Sequence, residues 1–346
     1  MWMVVGQDKA VAQLQAALRR QAVAHAYLLV GPPQVGKMTL ALNFAQALNC
    51  QGTAPPCQEC PACGRIASSQ HPDVLVVGLL TENGSRAKKE IGIDQIREVQ
   101  HLASLPPFQG QCKVFIIEAA EQLSLEAANS LLKTLEEPPP RVVFILLTGQ
   151  EQLLPPTVVS RCHRLELAPV PEGTIEAMLT QRGTAPELAR LVARLSRGCP
   201  GWAVSAVEAG DILEERKAIL DTWLRLGSLD IGERFAYAAQ LAAQFDRDRS
   251  AVEAALKLGQ GWWQDLLLVK GGAAEHITNL DLETTLAQEA AVYTWPQIRK
   301  ALYSLEAARR QLELNANPRL VLEVLMLNLP RKESEVVGAT LPRSAP

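Results

Sequence analysis

The feature that most constrains this chain is one turn near its start. Ala26-Tyr27-Leu28-Leu29-Val30, an apolar run the length of a buried strand, leads straight into Gly31-Pro32-Pro33-Gln34-Val35-Gly36-Lys37-Met38, and Thr39 to Leu48 continues with helical spacing. A strand that delivers a glycine-rich turn to a helix N-terminus lets backbone N–H groups cradle phosphates, with a lysine such as Lys37 reaching the β- and γ-phosphates. The competing reading is a plain glycine-rich connection with no nucleotide, and the strand-before, helix-after context favours descent from a nucleotide site. Val74 to Val77, Val114 to Ile117 and Val142 to Leu147 supply further apolar runs of the kind buried on both faces of a sheet. Between the last two, Leu125, Ala128, Leu131, Leu132 and Leu135 recur at helical spacing until Pro138-Pro139-Pro140 stops the helix. Strand, helix, strand predicts an α/β P-loop domain with a parallel sheet.

The phosphate turn is altered where catalysis needs it. A hydrolysing P-loop carries Ser or Thr after the lysine to hold Mg²⁺, and here that residue is Met38. Thr39 comes one residue late, about 100° around the helix, so its hydroxyl is expected to point away from a metal. Such an enzyme also ends a buried strand with a metal-ordering acid followed by a carboxylate that polarises water. Val114 to Ile117 is followed by Glu118-Ala119: Glu118 can stand in for the first, but Ala119 cannot do the work of the second. Gly31, Gly36, Lys37, Thr39 and Glu118 therefore mark a degenerate nucleotide site, in which ATP and Mg²⁺ are doubtful and hydrolysis is feeble or absent.

Cys50, Cys57, Cys60 and Cys63 follow the P-loop helix with the spacing C-x6-C-x2-C-x2-C. Four thiolates so spaced can close a tetrahedron around Zn²⁺ and leave no open position for water, which is a structural metal site. Buried free cysteines fit poorly, because the residues between them are polar or turn-forming. Cys112, Cys162 and Cys199 are scattered and read as ordinary small core residues. Lys133, beside Glu136 and Glu137 on one helix, reads as part of a solvated face.

After Ala168-Pro169-Val170-Pro171 the texture becomes almost wholly helical. At 346 residues several cores are expected: an α/β domain over 1–168 with the cysteine insertion at 50–63, a small helical lid over 169–209, an all-α collar over 210–331, and a mobile tail over 332–346. The formal charge of −3 argues against a free-standing, strongly basic nucleic-acid binder, so any DNA contact is expected to be shared in an assembly. The charged start and the lack of a long apolar run predict neither secretion nor a membrane span, and a cytoplasmic location.

Taken together, Val5-Gly6-Gln7, His25-Ala26-Tyr27, the cysteine insertion, His71-Pro72-Asp73, Ile93-Asp94-Gln95-Ile96-Arg97, Leu131 to Pro139 and Ser160-Arg161-Cys162 resemble bacterial clamp-loader subunits of the AAA+ class. Two branches of that family compete: the ATP-hydrolysing gamma/tau type and the delta-prime type. Met38, Glu118-Ala119, and Gly198-Cys199-Pro200-Gly201 where the motor's Gly-x-x-Arg sensor is expected, favour the delta-prime branch, and Trp262 to Leu267 with Asn315 to Leu320 resemble it more loosely. The resemblance implies a part in loading a sliding clamp onto primed DNA during replication, with gamma/tau and delta subunits as partners. It also implies that Arg161 acts in trans as an arginine finger on a neighbour's ATP. Thr148 matches the family's first sensor position only approximately. An active motor using Glu118 alone, and a free-standing zinc-dependent DNA-binding module, are the alternatives.

Overall fold

A computed structural model describes residues 1–79 and 90–332. The tail expected over 332–346 lies outside the described residues from 333 onward. The chain divides into two compact units, Met1–Ser205 and the chain from Ala206 on.

The first unit opens with α1 (Asp8–Arg19), β1 (Ala26–Val30), α2 (Lys37–Asn49), α3 (Pro61–Ala67), β2 (Val74–Val77), α4 (Ile93–Ser104) and β3 (Lys113–Ile117). It continues through α5 (Leu125–Glu136), β4 (Val142–Thr148), α6 (Pro156–Val159) and β5 (His163–Glu166). The strands form one parallel sheet in the order β2-β3-β4-β1-β5, so β1 lies inside it, between β4 and β5. Every residue of β3 and β4 is buried, as the continuous apolar runs require when helices cover both faces. One face packs Leu40, Phe44 and Leu14 from α2 and α1; the other packs Ile96, Val99, Leu131 and Leu135 from α4 and α5. This is the expected α/β architecture with a parallel sheet, and the phosphate turn leaves a strand in the middle of that sheet.

Strand β5 has no counterpart in the apolar pattern. Only Leu165 of His163-Arg164-Leu165-Glu166 is buried, so at this sheet edge the strand exposes three polar residues and carries no hydrophobic signal. Short helices α7 (Glu172–Gln181), α8 (Pro186–Leu195) and α9 (Pro200–Glu208) follow.

The second unit is helical: α10 (Asp211–Leu226), α11 (Ile231–Arg247), α12 (Arg249–Lys270), α13 (Glu283–Val292), α14 (Trp295–Glu313) and α15 (Pro318–Asn328). Trp223, Trp262, Leu266, Leu305 and Leu322 form its core. Asp230 opens α11 with a reciprocal cap to Glu233, and Asn317 caps α15 by accepting from Leu320 N at 3.2 Å. No helix among the described residues is long and apolar enough to cross a membrane.

Candidate functional site

The phosphate turn is shaped by two glycines. A Cβ on Gly31 would sit 2.5 Å from the Leu167 carbonyl oxygen, so only glycine lets the chain leave β1 at this point. Gly36 adopts φ 109°, a left-handed conformation, and forms the N-cap of α2. Beyond them, Gly36, Lys37, Met38, Thr39, Glu118 and Glu121 line an open cleft of about 400 Å³. Four residues expected in a nucleotide site thus meet: Gly36, Lys37, Thr39 and Glu118. Gly31 stands behind them, its carbonyl accepting from Lys37 Nζ at 2.6 Å, while Pro32 O accepts from the same ammonium at 2.8 Å. Burial lowers the Lys37 pKa, and Glu121, Cys199 and Glu118 oppose that shift through their charges.

Thr148 behaves differently. It is fully buried, and its hydroxyl accepts from Gln150 N at 3.0 Å, so its neighbours Leu147 and Gly149 line the cleft instead. Met38 lines the cleft and is half-buried against the core that α2 shares with the sheet, and an apolar thioether cannot act as a Mg²⁺ ligand there.

Sequence reasoning missed Glu121. One carboxylate oxygen accepts from Gly149 N at 3.2 Å, and the other is buried without a hydrogen-bond partner among the described residues. Glu121 sits in the short 3₁₀ turn Ala120–Gln122 that follows Glu118-Ala119, and only the fold brings it to the same cleft as Glu118. A second, apolar recess of about 260 Å³ adjoins the cleft and shares Gly36, Thr39 and Gly201 with it; Val4, Val35, Met178 and Val204 are among its walls. An apolar recess beside a phosphate cleft suits a flat base joined to a phosphate chain.

The four expected cysteines come together. The Sγ atoms of Cys50, Cys57, Cys60 and Cys63 all lie within 4.8 Å of one another, as a single tetrahedral ion requires of its ligands. Backbone amides point at the sulfurs: Gly52 N and Cys57 N donate to Cys50, Cys60 N to Cys57 at 3.3 Å, and Cys63 N to Cys60 at 3.5 Å. Burial raises the Cys60 thiol pKa, but hydrogen bonds from Gln51 and Cys63 amides and from neighbouring thiols outweigh it and bring it down to about 6. Burial pushes Cys63 up to about 12. Thiolate-stabilising amides around four convergent sulfurs fit a divalent soft cation.

This module is tied to the P-loop helix by buried polar side chains. Gln46 donates to Cys63 O at 3.0 Å, and its carbonyl accepts from Asn43 and from Gln58, each at 3.0 Å. Asn43 in turn accepts from Met3 N at 2.6 Å, and Gln58 donates to Met1 O at 3.0 Å. The segment carrying Met3 and Val4, walls of the apolar recess, is thereby bound to both α2 and the cysteine module.

Arg161 lies away from its own phosphate cleft, in the turn after α6. Its backbone N–H donates to Val158 O at 3.2 Å, one guanidinium nitrogen donates to Thr157 O at 2.9 Å, and another pairs with Glu136 at 2.6 Å. The side chain remains 35% exposed, so it is open to a second chain.

The family described as "DNA polymerase III, delta subunit" matches residues 6–171, and "DNA polymerase III, delta subunit, C terminal" matches residues 213–331. The DNA polymerase III subunit delta' of Bacillus subtilis (strain 168) is 29% identical over 324 residues, covering 93% of this chain and 96% of that protein. Its subunit tau is 34% identical over 233 residues, which is 63% of this chain but only 40% of tau. Escherichia coli (strain K12) tau is 32% identical over 280 residues, 77% of this chain and 42% of that protein. The alignment with delta' thus runs nearly end to end, whereas tau is matched over less than half its length, and the two family matches between them span most of the chain. This chain belongs to the delta'-type branch of the bacterial DNA polymerase III clamp-loader subunits.

Proposed function

We propose that this chain is a non-hydrolysing subunit of a clamp-loader complex, which assembles with gamma/tau-type and delta-type subunits in the cytoplasm to load a sliding clamp onto primed DNA. Its chemical contribution is Arg161, offered to the ATP site of a neighbouring subunit. One observation carries this reading: the arginine stands open to another chain and outside its own cleft, while that cleft lacks a metal-binding hydroxyl at Met38 and a water-polarising carboxylate at Ala119. A guanidinium is a planar, permanently charged fork, suited to neutralise the charge that develops on a transferred phosphoryl group. The cleft and its apolar recess support retention of a nucleotide that is not turned over. The four cysteines support a closed, structural Zn²⁺ site with no part in the reaction, and its contribution is to folding.

The test is a reconstituted complex in which only this chain carries Arg161→Ala. ATP hydrolysis stimulated by clamp and primed DNA is expected to fall, with gel filtration showing that the complex still assembles. A trans arginine finger is worth about 10³–10⁵ in rate at one site, and other subunits' arginines will dilute the loss in the total. Unchanged turnover by a fully assembled complex would leave Arg161 a surface residue. The second reading, a gamma/tau-type motor, draws on Glu118 and Lys37 sharing the cleft. Steady ATP turnover by the isolated chain would establish it in place of the first.

A further inference from the structure

We propose that Glu136 is the positioning residue for Arg161. This rests on the reading of Arg161 as a finger in trans and adds how the chain aims it. Glu136 is the last residue of α5, with Glu137 next to it as the C-cap. A helix C-terminus carries partial negative charge, so a carboxylate there is disfavoured unless a cation answers it. Lys133 lies in the same last turn, and Arg161, 2.6 Å away, is the cation paired with the carboxylate. The nearby Arg164 is already engaged, reaching Glu151 at 2.9 Å and Glu166 at 3.0 Å.

The geometry leaves the finger usable. A guanidinium has five N–H donors in a rigid fork. Glu136 and Thr157 O take one each from different terminal nitrogens, so three remain for phosphoryl oxygens. Two anchors on separate elements, α5 and α6, fix both the position of the fork and its plane. The arginine backbone is fixed as well, through the bond from its N–H to Val158 O. A flexible side chain is thus held in place before any partner's phosphate arrives, which lowers the entropy lost when it engages.

The pair is half-exposed, so its effect is limited. An ion pair of this kind biases a side chain's population by about fivefold. In a complex reconstituted with full-length chains, Glu136→Ala is expected to lower clamp- and DNA-stimulated kcat about fivefold with little change in KM for ATP, since the group acts when charge develops. Glu136→Gln keeps an acceptor for the guanidinium and is expected to recover part of the loss. In the Arg161→Ala background, Glu136→Ala is expected to cost nothing further, because the two residues act as one unit. The outcomes separate the two ideas. If Arg161→Ala leaves turnover unchanged, the finger reading fails and the positioning role with it. If Arg161→Ala lowers turnover but Glu136→Ala does not, or lowers it by the same factor in both backgrounds, the positioning role alone is overturned. Gel filtration and thermal melting of each variant show whether a loss is one of folding.

Discussion

Met38 and Ala119 occupy the two positions where a P-loop ATPase needs an oxygen, one to bind Mg²⁺ and one to polarise water, and neither side chain has one. The isolated chain should therefore release phosphate from ATP far more slowly than the ordinary enzyme rate of about 1 per second or more. A Met38→Thr variant should do no better, because Ala119 still offers no carboxylate, and a phosphate-release assay on both proteins decides the matter. These departures were legible because each is one residue type out of place in a known spacing. Glu121 and Glu136 were not: a lone carboxylate carries no signal until the fold shows what faces it, Gly149 N for one and Arg161 for the other. Asp73 is a similar case, fully buried and accepting from the amides of Phe108, Gln109 and Gly110, each at 2.7 Å. Burial raises its pKa, but those three bonds, with His71, outweigh it and hold the carboxyl below its usual range. A depressed carboxyl stabilises the fold above its unfolded pKa of about 3.9, and that stabilisation is lost as pH falls through the lower folded value. Asp73→Asn presents an amide to N–H donors, which should cost about 1–3 kcal/mol near neutral pH. The gap between variant and parent in urea titrations should narrow at acid pH; a gap that stays constant would show that the charge of Asp73 is immaterial.

At the level of single elements, α2 has two faces that sequence periodicity cannot tell apart. Leu40, Ala41, Phe44 and Ala45 pack against the sheet. Asn43, Gln46 and Asn49, polar residues at three-residue intervals, are 4%, 2% and 2% exposed. They are buried because each binds a different segment: Asn43 the chain start, Gln46 the cysteine module, and Asn49 the amides of Gln111 and Cys112. The cysteines themselves were legible from spacing alone, since tetrahedral coordination by a short loop permits few spacings. What spacing could not show was the partner that holds the module to the P-loop helix. Elemental analysis of protein purified without added metal should find one Zn²⁺ per chain. Its removal by a chelator should accelerate amide exchange over residues 1–6 and 50–67, while β3 and β4 stay protected. Gln46→Leu should keep the metal yet raise exchange at residues 1–6, because it cuts the link and spares the thiols. Protection at residues 1–6 that survives both changes would mean that the chain start is held independently of the module.

Across the whole molecule, the parallel sheet was legible because β1, β3 and β4 are covered on both faces and are almost wholly apolar, Lys113 and Thr148 standing only at strand ends. Edge strand β5 was not, for the opposite reason. The helical half was legible as helical from its periodicity; the two compact units part after Ser205, within α9, close to the expected lid–collar boundary at 209/210, whereas composition shifts at Pro169. A break in texture marks a change of element type, and a boundary between cores need not coincide with it. Two separate cores predict separable unfolding. Arg234 on α11 tests this, being 1% exposed and donating to Met326 O at 3.1 Å, Leu329 O at 2.8 Å and Pro330 O at 3.0 Å, where α15 ends. It thereby satisfies carbonyls that a helix C-terminus leaves without partners. Arg234→Ala would strand three carbonyls and open space in the core, at a cost of about 3 kcal/mol. In a domain of this size such a loss lowers the melting temperature by about 10–15 °C. Calorimetry should show that drop in one transition only, with zinc content and the transition of the Met1–Ser205 unit unchanged. If both transitions move together, the two units unfold as one cooperative body.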